Sequence, residues 1–217
     1  MNFGFDYWKN KKINCLGDSI TAGAGNDGYG WVEFLRENFP EADIRKYGVS
    51  GSTVAICSRR KEKPFVERFE EMDKDFDLTI IFGGINDFIN SVPLGEIGNE
   101  NLETFCGALE HIISKLQKDN PQAQLMLISP MRVNNFKEYP CWNEKNNDGH
   151  ILLDYRNKLL EIAEYYSVPV LDFYSLSHIN AECSEMRAGV LPDGLHPNKL
   201  GHQRMARKIS QFIVTYM

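Results

Sequence analysis

Two short segments at opposite ends of this 217-residue chain hold a hydroxyl, an imidazole and a carboxylate. Gly17-Asp18-Ser19-Ile20 follows a short apolar run, and Asp193-Gly194-Leu195-His196 precedes the last amphipathic stretch. Nucleophile, base and orienting carboxylate are the three groups that acyl transfer needs. Asp193 and His196 are three residues apart. A single turn can therefore bring the carboxylate to the ring nitrogen that does not face a serine.

The elements that must position these groups show in the hydrophobic pattern. Apolar β-type runs at 13–16, 44–49, 78–82, 125–129 and 168–171 alternate with amphipathic patterns at 31–38, 65–74, 102–118, 152–166 and 199–215. The runs at 78–82 and 125–129 are nearly all apolar, as suits central parallel strands covered on both faces. Leu152, Tyr155, Leu159, Ile162, Ala163 and Tyr166 repeat at helical spacing and read as core packing. Pro197 sits where a helix start tolerates a missing N–H. A β-α-β-α alternation predicts a parallel sheet with right-handed crossovers. Five strands favour the flavodoxin-like order 2-1-3-4-5, a three-layer α/β/α sandwich, in one domain spanning 1–217. In such sheets the site lies beyond the carboxyl ends of the strands. Ser19, Gly51 and Asn86 follow the first three strands, so their loops are expected on one edge.

The bulk composition narrows the class. Net charge is -6, which points to neither nucleic acid nor an anionic membrane as partner. Five cysteines (Cys15, Cys57, Cys106, Cys141, Cys183) without C-x-x-C spacing argue against a disulfide framework and a structural zinc site. The N-terminal ten residues lack an apolar signal core, and a cytoplasmic location is the expectation. His196 and His202 could suggest a metal, yet no third ligand at plausible spacing accompanies them. His111, His150 and His178 belong to no motif. The P-loop, G-x-G-x-x-G and G-x-S-x-G patterns are all absent.

Four blocks occur in order between residues 17 and 196: Gly17-Asp18-Ser19-Ile20, Gly51, Gly84-Ile85-Asn86-Asp87 and Asp193-Gly194-Leu195-His196. In this order they resemble the blocks of the SGNH (GDSL-type) hydrolase family. The resemblance implies Ser19 as nucleophile, His196 as its base and Asp193 as acceptor from the other imidazole nitrogen. It also implies an oxyanion hole from the Ser19 and Gly51 backbone N–H groups and the Asn86 side-chain amide. Residue by residue, structural duties compete with these roles. Ser19 could cap a helix. Asn86 could be an ordinary turn residue. Asp18 and Asp87 read as loop holders that accept nearby N–H groups.

What the resemblance implies is a serine esterase working through an acyl-enzyme on a small-molecule ester, with no metal and no cofactor. Two long segments, 131–149 and 172–192, are expected to wall the site. Tyr139 and Trp142 could meet a sugar or acyl chain, or pack the loop onto the body. Arg132 could meet an anionic group or form a salt bridge. Neither segment has the continuous apolar surface of a lipase lid, which favours a short acyl group such as acetyl on a carbohydrate. The alternatives are lysophospholipase, thioesterase or acyltransferase chemistry at the same site, a non-catalytic carbohydrate-binding module, and a flavodoxin-like cofactor binder.

Overall fold

The computed structural model describes residues 6–217. The first five residues, on which part of the signal-free reading of the N-terminus falls, lie outside the described residues. Five strands, β1 (Lys12–Gly17), β2 (Asp43–Gly48), β3 (Leu78–Phe82), β4 (Gln124–Ile128) and β5 (Val170–Leu171), form one sheet in the order β2-β1-β3-β4-β5. Every neighbouring pair is parallel. The helices in chain order are α1 (Ser19–Ala22), α2 (Trp31–Asn38), α3 (Phe65–Arg68), α4 (Ile85–Ile89), α5 (Phe105–Asp119), α6 (Leu152–Tyr165), α7 (Phe173–Leu176), α8 (Ser184–Val190) and α9 (Lys199–Tyr216).

All of β3 is buried, because helices cover both faces of the sheet. Helix α2 packs against α9, while α5 packs against both α3 and α6. The register fixes where the site forms. Gly17, the last residue of β1, pairs with Gly48 at the end of β2 and with Phe82 at the end of β3. Three strands thus end level, and the loops that carry Ser19, Gly51 and Asn86 leave the sheet side by side.

The short helices α1, α4, α7 and α8 add to the expected elements, α7 and α8 within the 172–192 segment, and three of the expected elements are shortened by two residues or more, each for a local reason. The 65–74 pattern gives only the turn α3 and a 3₁₀ turn at Phe69–Glu71. Beyond it the backbone of Asp73 is taken by β1 and β2: its carbonyl accepts from Asn14 Nδ2 at 2.8 Å, and its N–H donates to the Tyr47 hydroxyl at 3.1 Å. Helix α5 starts at residue 105 rather than 102, because the Thr104 hydroxyl accepts the Gly107 N–H and caps it. Strand β5 keeps two residues. The Val168 N–H closes the end of α6 on the Ala163 carbonyl, and Pro169 has no N–H to offer a ladder.

Among the described residues no helix is long and apolar enough to cross a membrane. All five cysteines are free thiols.

Candidate active site

Asp18 ends β1 in a turn and caps α1, its carboxylate accepting the Ile20 N–H at 3.0 Å. Ser19 is therefore the first helical residue, not the cap, and its side chain is free for other partners. Its hydroxyl lies 3.0 Å from His196 Nε2. His196 Nδ1 donates to Asp193 Oδ2 at 2.7 Å. The other carboxylate oxygen, Asp193 Oδ1, accepts the backbone N–H groups of Leu195 at 3.0 Å and His196 at 2.7 Å. One tight turn thus fixes both the carboxylate and the ring it orients. Burial opposes the Asp193 charge, but these N–H groups and the imidazole outweigh it and hold the carboxyl below its usual range. Asp193 stays an acceptor for the Nδ1 proton, so the neutral form of the imidazole presents the Nε2 lone pair to Ser19.

The turn needs glycine. Gly194 has φ +87°, and a Cβ there would stand 1.8 Å from the Asn134 carbonyl oxygen. That approach ties the 131–149 loop to the His196 segment, since the Asn134 N–H also donates to the Gly194 carbonyl at 3.1 Å. Phe136 on the same loop stands edge-on against the His196 ring, centroids 5.2 Å apart.

The three groups expected to serve an oxyanion hole sit on the segments that follow β1, β2 and β3. Among the described residues, the backbone N–H groups of Ser19 and Gly51 donate to no protein acceptor. Gly51 has φ +80°, and a Cβ there would lie 1.9 Å from Arg60 Nη2. The Asn86 amide donates to the Ser52 carbonyl at 3.1 Å and faces Asp18 Oδ2 at a long 3.4 Å. Asn86 thus bridges the Gly51 loop to the serine turn rather than closing a turn of its own. Asp87 takes the N–H groups of Val54 and Ala55 and pins the Gly51 loop to α4. Burial pushes the Asp18 carboxyl up to about 7, with Asp87 adding to the effect, and burial pushes Asp87 up to about 6.

His202 is fully buried on α9 and donates from Nε2 to the Ala24 carbonyl at 3.0 Å. It anchors the loop after Ser19 instead of sharing a ligand set with His196. His111 and His150 lie away from the triad against Phe69 and Tyr155, and His178 meets Lys208. Tyr139 is exposed and stacks on Phe136, whereas Trp142 is partly buried against the core. Arg132 forms no ion pair among the described residues; its guanidinium lies between the Trp142 and Tyr174 rings, 4.6 and 4.7 Å from their centroids.

Sequence reasoning passed over Arg68. Its buried guanidinium donates to the Gly17 and Tyr47 carbonyls, each at 2.9 Å, and to the Lys63 carbonyl and the Ser52 hydroxyl, each at 3.1 Å. One side chain therefore ties the end of β1 to the loop that carries Gly51. A signal was present. Phe65, Arg68 and Phe69 share one helical face by spacing, and a cation on an apolar face needs buried partners.

The fold that carries this arrangement has counterparts in known proteins. A solved structure of a Lactobacillus plantarum protein superposes with a TM-score of 0.86 at 28% identity, covering 96% of this chain and 99% of that one. The structure of acetyl xylan esterase AlAXEase shares the fold, with a TM-score of 0.66 at 20% identity over 92% of this chain and 98% of that one. An acetylxylan esterase from Xylanibacter ruminicola is 25% identical across 93% of this chain, which spans only 43% of that relative's length. The family model for GDSL-like lipases and acylhydrolases matches residues 15–204, a span that holds the Ser19 turn, the Gly51 and Asn86 loops and the Asp193–His196 turn, and the chain belongs to that family of hydrolases.

Proposed function

We propose that the protein is a serine esterase that cleaves a short-chain carboxylic ester through an acyl-enzyme, with acetyl on a carbohydrate as the favoured substrate. The observation that carries this reading is the relay from Asp193 Oδ2 through His196 to Ser19 Oγ, with contacts of 2.7 and 3.0 Å. In the first step His196 Nε2 takes the Ser19 proton as Oγ attacks the ester carbonyl. The carbonyl electron pair moves onto oxygen, where the Ser19 and Gly51 N–H groups, unpaired among the described residues, meet it, joined by the Asn86 amide as it releases its long 3.4 Å contact with Asp18 Oδ2. Collapse expels the alcohol, which receives the proton from Nε2. Water then repeats the sequence on the acyl-enzyme and releases the acid.

The preference for a short acyl group follows from the surroundings. Two clefts of about 610 and 710 Å³ reach the site through single residues: Arg60, which lines the first, stands behind Gly51, and Tyr139, which lines the second, stacks on the Phe136 ring beside His196. Both are lined mainly by polar and charged side chains, and neither offers the apolar wall that a long alkyl chain needs. The acetylxylan esterase relative supports the carbohydrate half of the reading.

The test is hydrolysis of p-nitrophenyl acetate, butyrate and octanoate by the wild type and by Ser19→Ala. Turnover strongest on acetate and absent from the alanine variant is expected. Serine-independent turnover, or a preference for octanoate, would overturn the proposal.

A further inference from the structure

The chemistry at Ser19 fixes the side from which the alcohol leaves. His196 returns its proton to the leaving oxygen, so the alcohol half of an ester lies on the His196 side of the serine. On that side the His196 ring meets the edge of Phe136, and Tyr139 stacks on Phe136 with centroids 5.8 Å apart and planes at 18°. Tyr139 is 36% exposed, so ring surface away from Phe136 is open. Beyond this stack lies the cleft of about 710 Å³. Ile89 and Ser91, at and just past the end of the helix that carries Asn86, form one wall, and Lys137, Tyr139 and Lys145 form the other. The cleft therefore runs between the Asn86 helix and the loop that backs the base. Its volume suits a bound small molecule, for which about 300–1,000 Å³ is typical.

Its lining carries two lysines, one glutamate and one aromatic ring. Lys137 and Lys145 are exposed, and among the described residues neither pairs with a carboxylate, although the Lys137 ammonium lies 5.0 Å from the Phe136 ring centroid. Glu138 is the acid that shares the lining with them. In a chain of net charge -6 this is a local surplus of positive charge. A flat aromatic surface suits the C–H face of a sugar ring, and unpaired ammonium groups suit a carboxylate.

We propose that this cleft holds the alcohol half of the ester and that its occupant is a saccharide bearing a carboxylate, seated on Tyr139 with its charge met by Lys137 and Lys145. This rests on the esterase reading and names the substrate class of the same site.

The test compares acetylated oligosaccharides with and without a uronic acid unit, matched in length, alongside p-nitrophenyl acetate. The acidic substrate should show the higher kcat/KM, and raised salt should erase the difference. Lys137→Ser and Lys145→Ser should each lower that preference about two- to fivefold. Tyr139→Ala should raise KM for the acidic saccharide about tenfold with kcat little changed, whereas Tyr165→Ala, far out on α6, should change neither. Equal rates on acidic and neutral saccharides, or an unchanged KM in Tyr139→Ala, would overturn the inference while p-nitrophenyl acetate turnover kept the esterase reading intact. Calorimetry of Ser19→Ala with the deacetylated acidic oligosaccharide reads the cleft without any chemistry. Binding lost in Tyr139→Ala is expected, and no binding to Ser19→Ala would refute the subsite even if the esterase reading also failed.

Discussion

Replacing Asp193 by asparagine tests the relay with almost no change of shape. The structure dictates how the new amide must sit. Oδ1 accepts two backbone N–H groups, from Leu195 and His196, so the amide oxygen takes that place. The NH₂ group is then forced onto the Oδ2 position, 2.7 Å from His196 Nδ1. A donor there demands a lone pair on Nδ1, which sends the ring proton to Nε2, opposite the Ser19 hydroxyl. The base then has nothing with which to accept the serine proton. The wrong tautomer costs about 10⁴-fold in kcat in serine enzymes built this way, or about 5.5 kcal/mol of barrier. Stability should fall by no more than about 1 kcal/mol, because both turn-forming bonds survive and the lost interaction is partly exposed. Steady-state hydrolysis of p-nitrophenyl acetate and urea unfolding of the same preparation measure the two quantities. A folded variant that keeps kcat within tenfold of wild type would refute the relay.

Three more outcomes follow from the same contacts. Gly194→Ala should lower activity at least about 10²-fold, because its Cβ would sit 1.8 Å from a backbone oxygen that cannot swing away; wild-type rates would show that the His196 turn tolerates displacement. Arg68→Met removes the guanidinium donor from the Gly17, Tyr47 and Lys63 carbonyls, of which Gly17 keeps the Val49 N–H, and should cost about 2–4 kcal/mol by urea unfolding; an unchanged midpoint would remove Arg68 from its tying role. The buried carboxyls of Asp18 and Asp87 are raised to about 7 and about 6, so the native state holds protons that the unfolded chain has released. Their contribution to stability is present below about pH 4 and lost as pH rises toward 7. Unfolding measured at pH 5 and pH 8 should therefore give the higher stability at pH 5 in the wild type and a smaller difference in Asp18→Asn; equal stabilities in the wild type would contradict the raised values.

The sequence alone determined the sheet and the identities of the groups at its edge. In Leu78–Phe82 every position but Thr79 is apolar, and a strand covered on both faces buries them all. Alternation with helical patterns then leaves few topologies, and the order β2-β1-β3-β4-β5 is the expected one. The Asp193–His196 turn was legible because its geometry is local: three residues of chain set the distance between carboxylate and ring. The bounds of the 65–74 and 168–171 segments were not legible, because partners distant in sequence or a single proline decide where those segments stop.

Only the tertiary structure decided what depends on contacts across long stretches of chain. Ser19 meets His196 across 177 residues, at a distance set by level strand ends and by α9 packing on α2. Arg68, Phe136 and Tyr139 gain their places in the same way. Arg68 is one cation among 24 Lys and Arg residues until folding encloses it with the Gly17 and Tyr47 carbonyls. Composition separated neither Tyr139 from Trp142 nor a stacked Arg132 from a salt-bridged one. Periodicity records which face of an element is buried, whereas the atoms met there depend on elements far away in sequence.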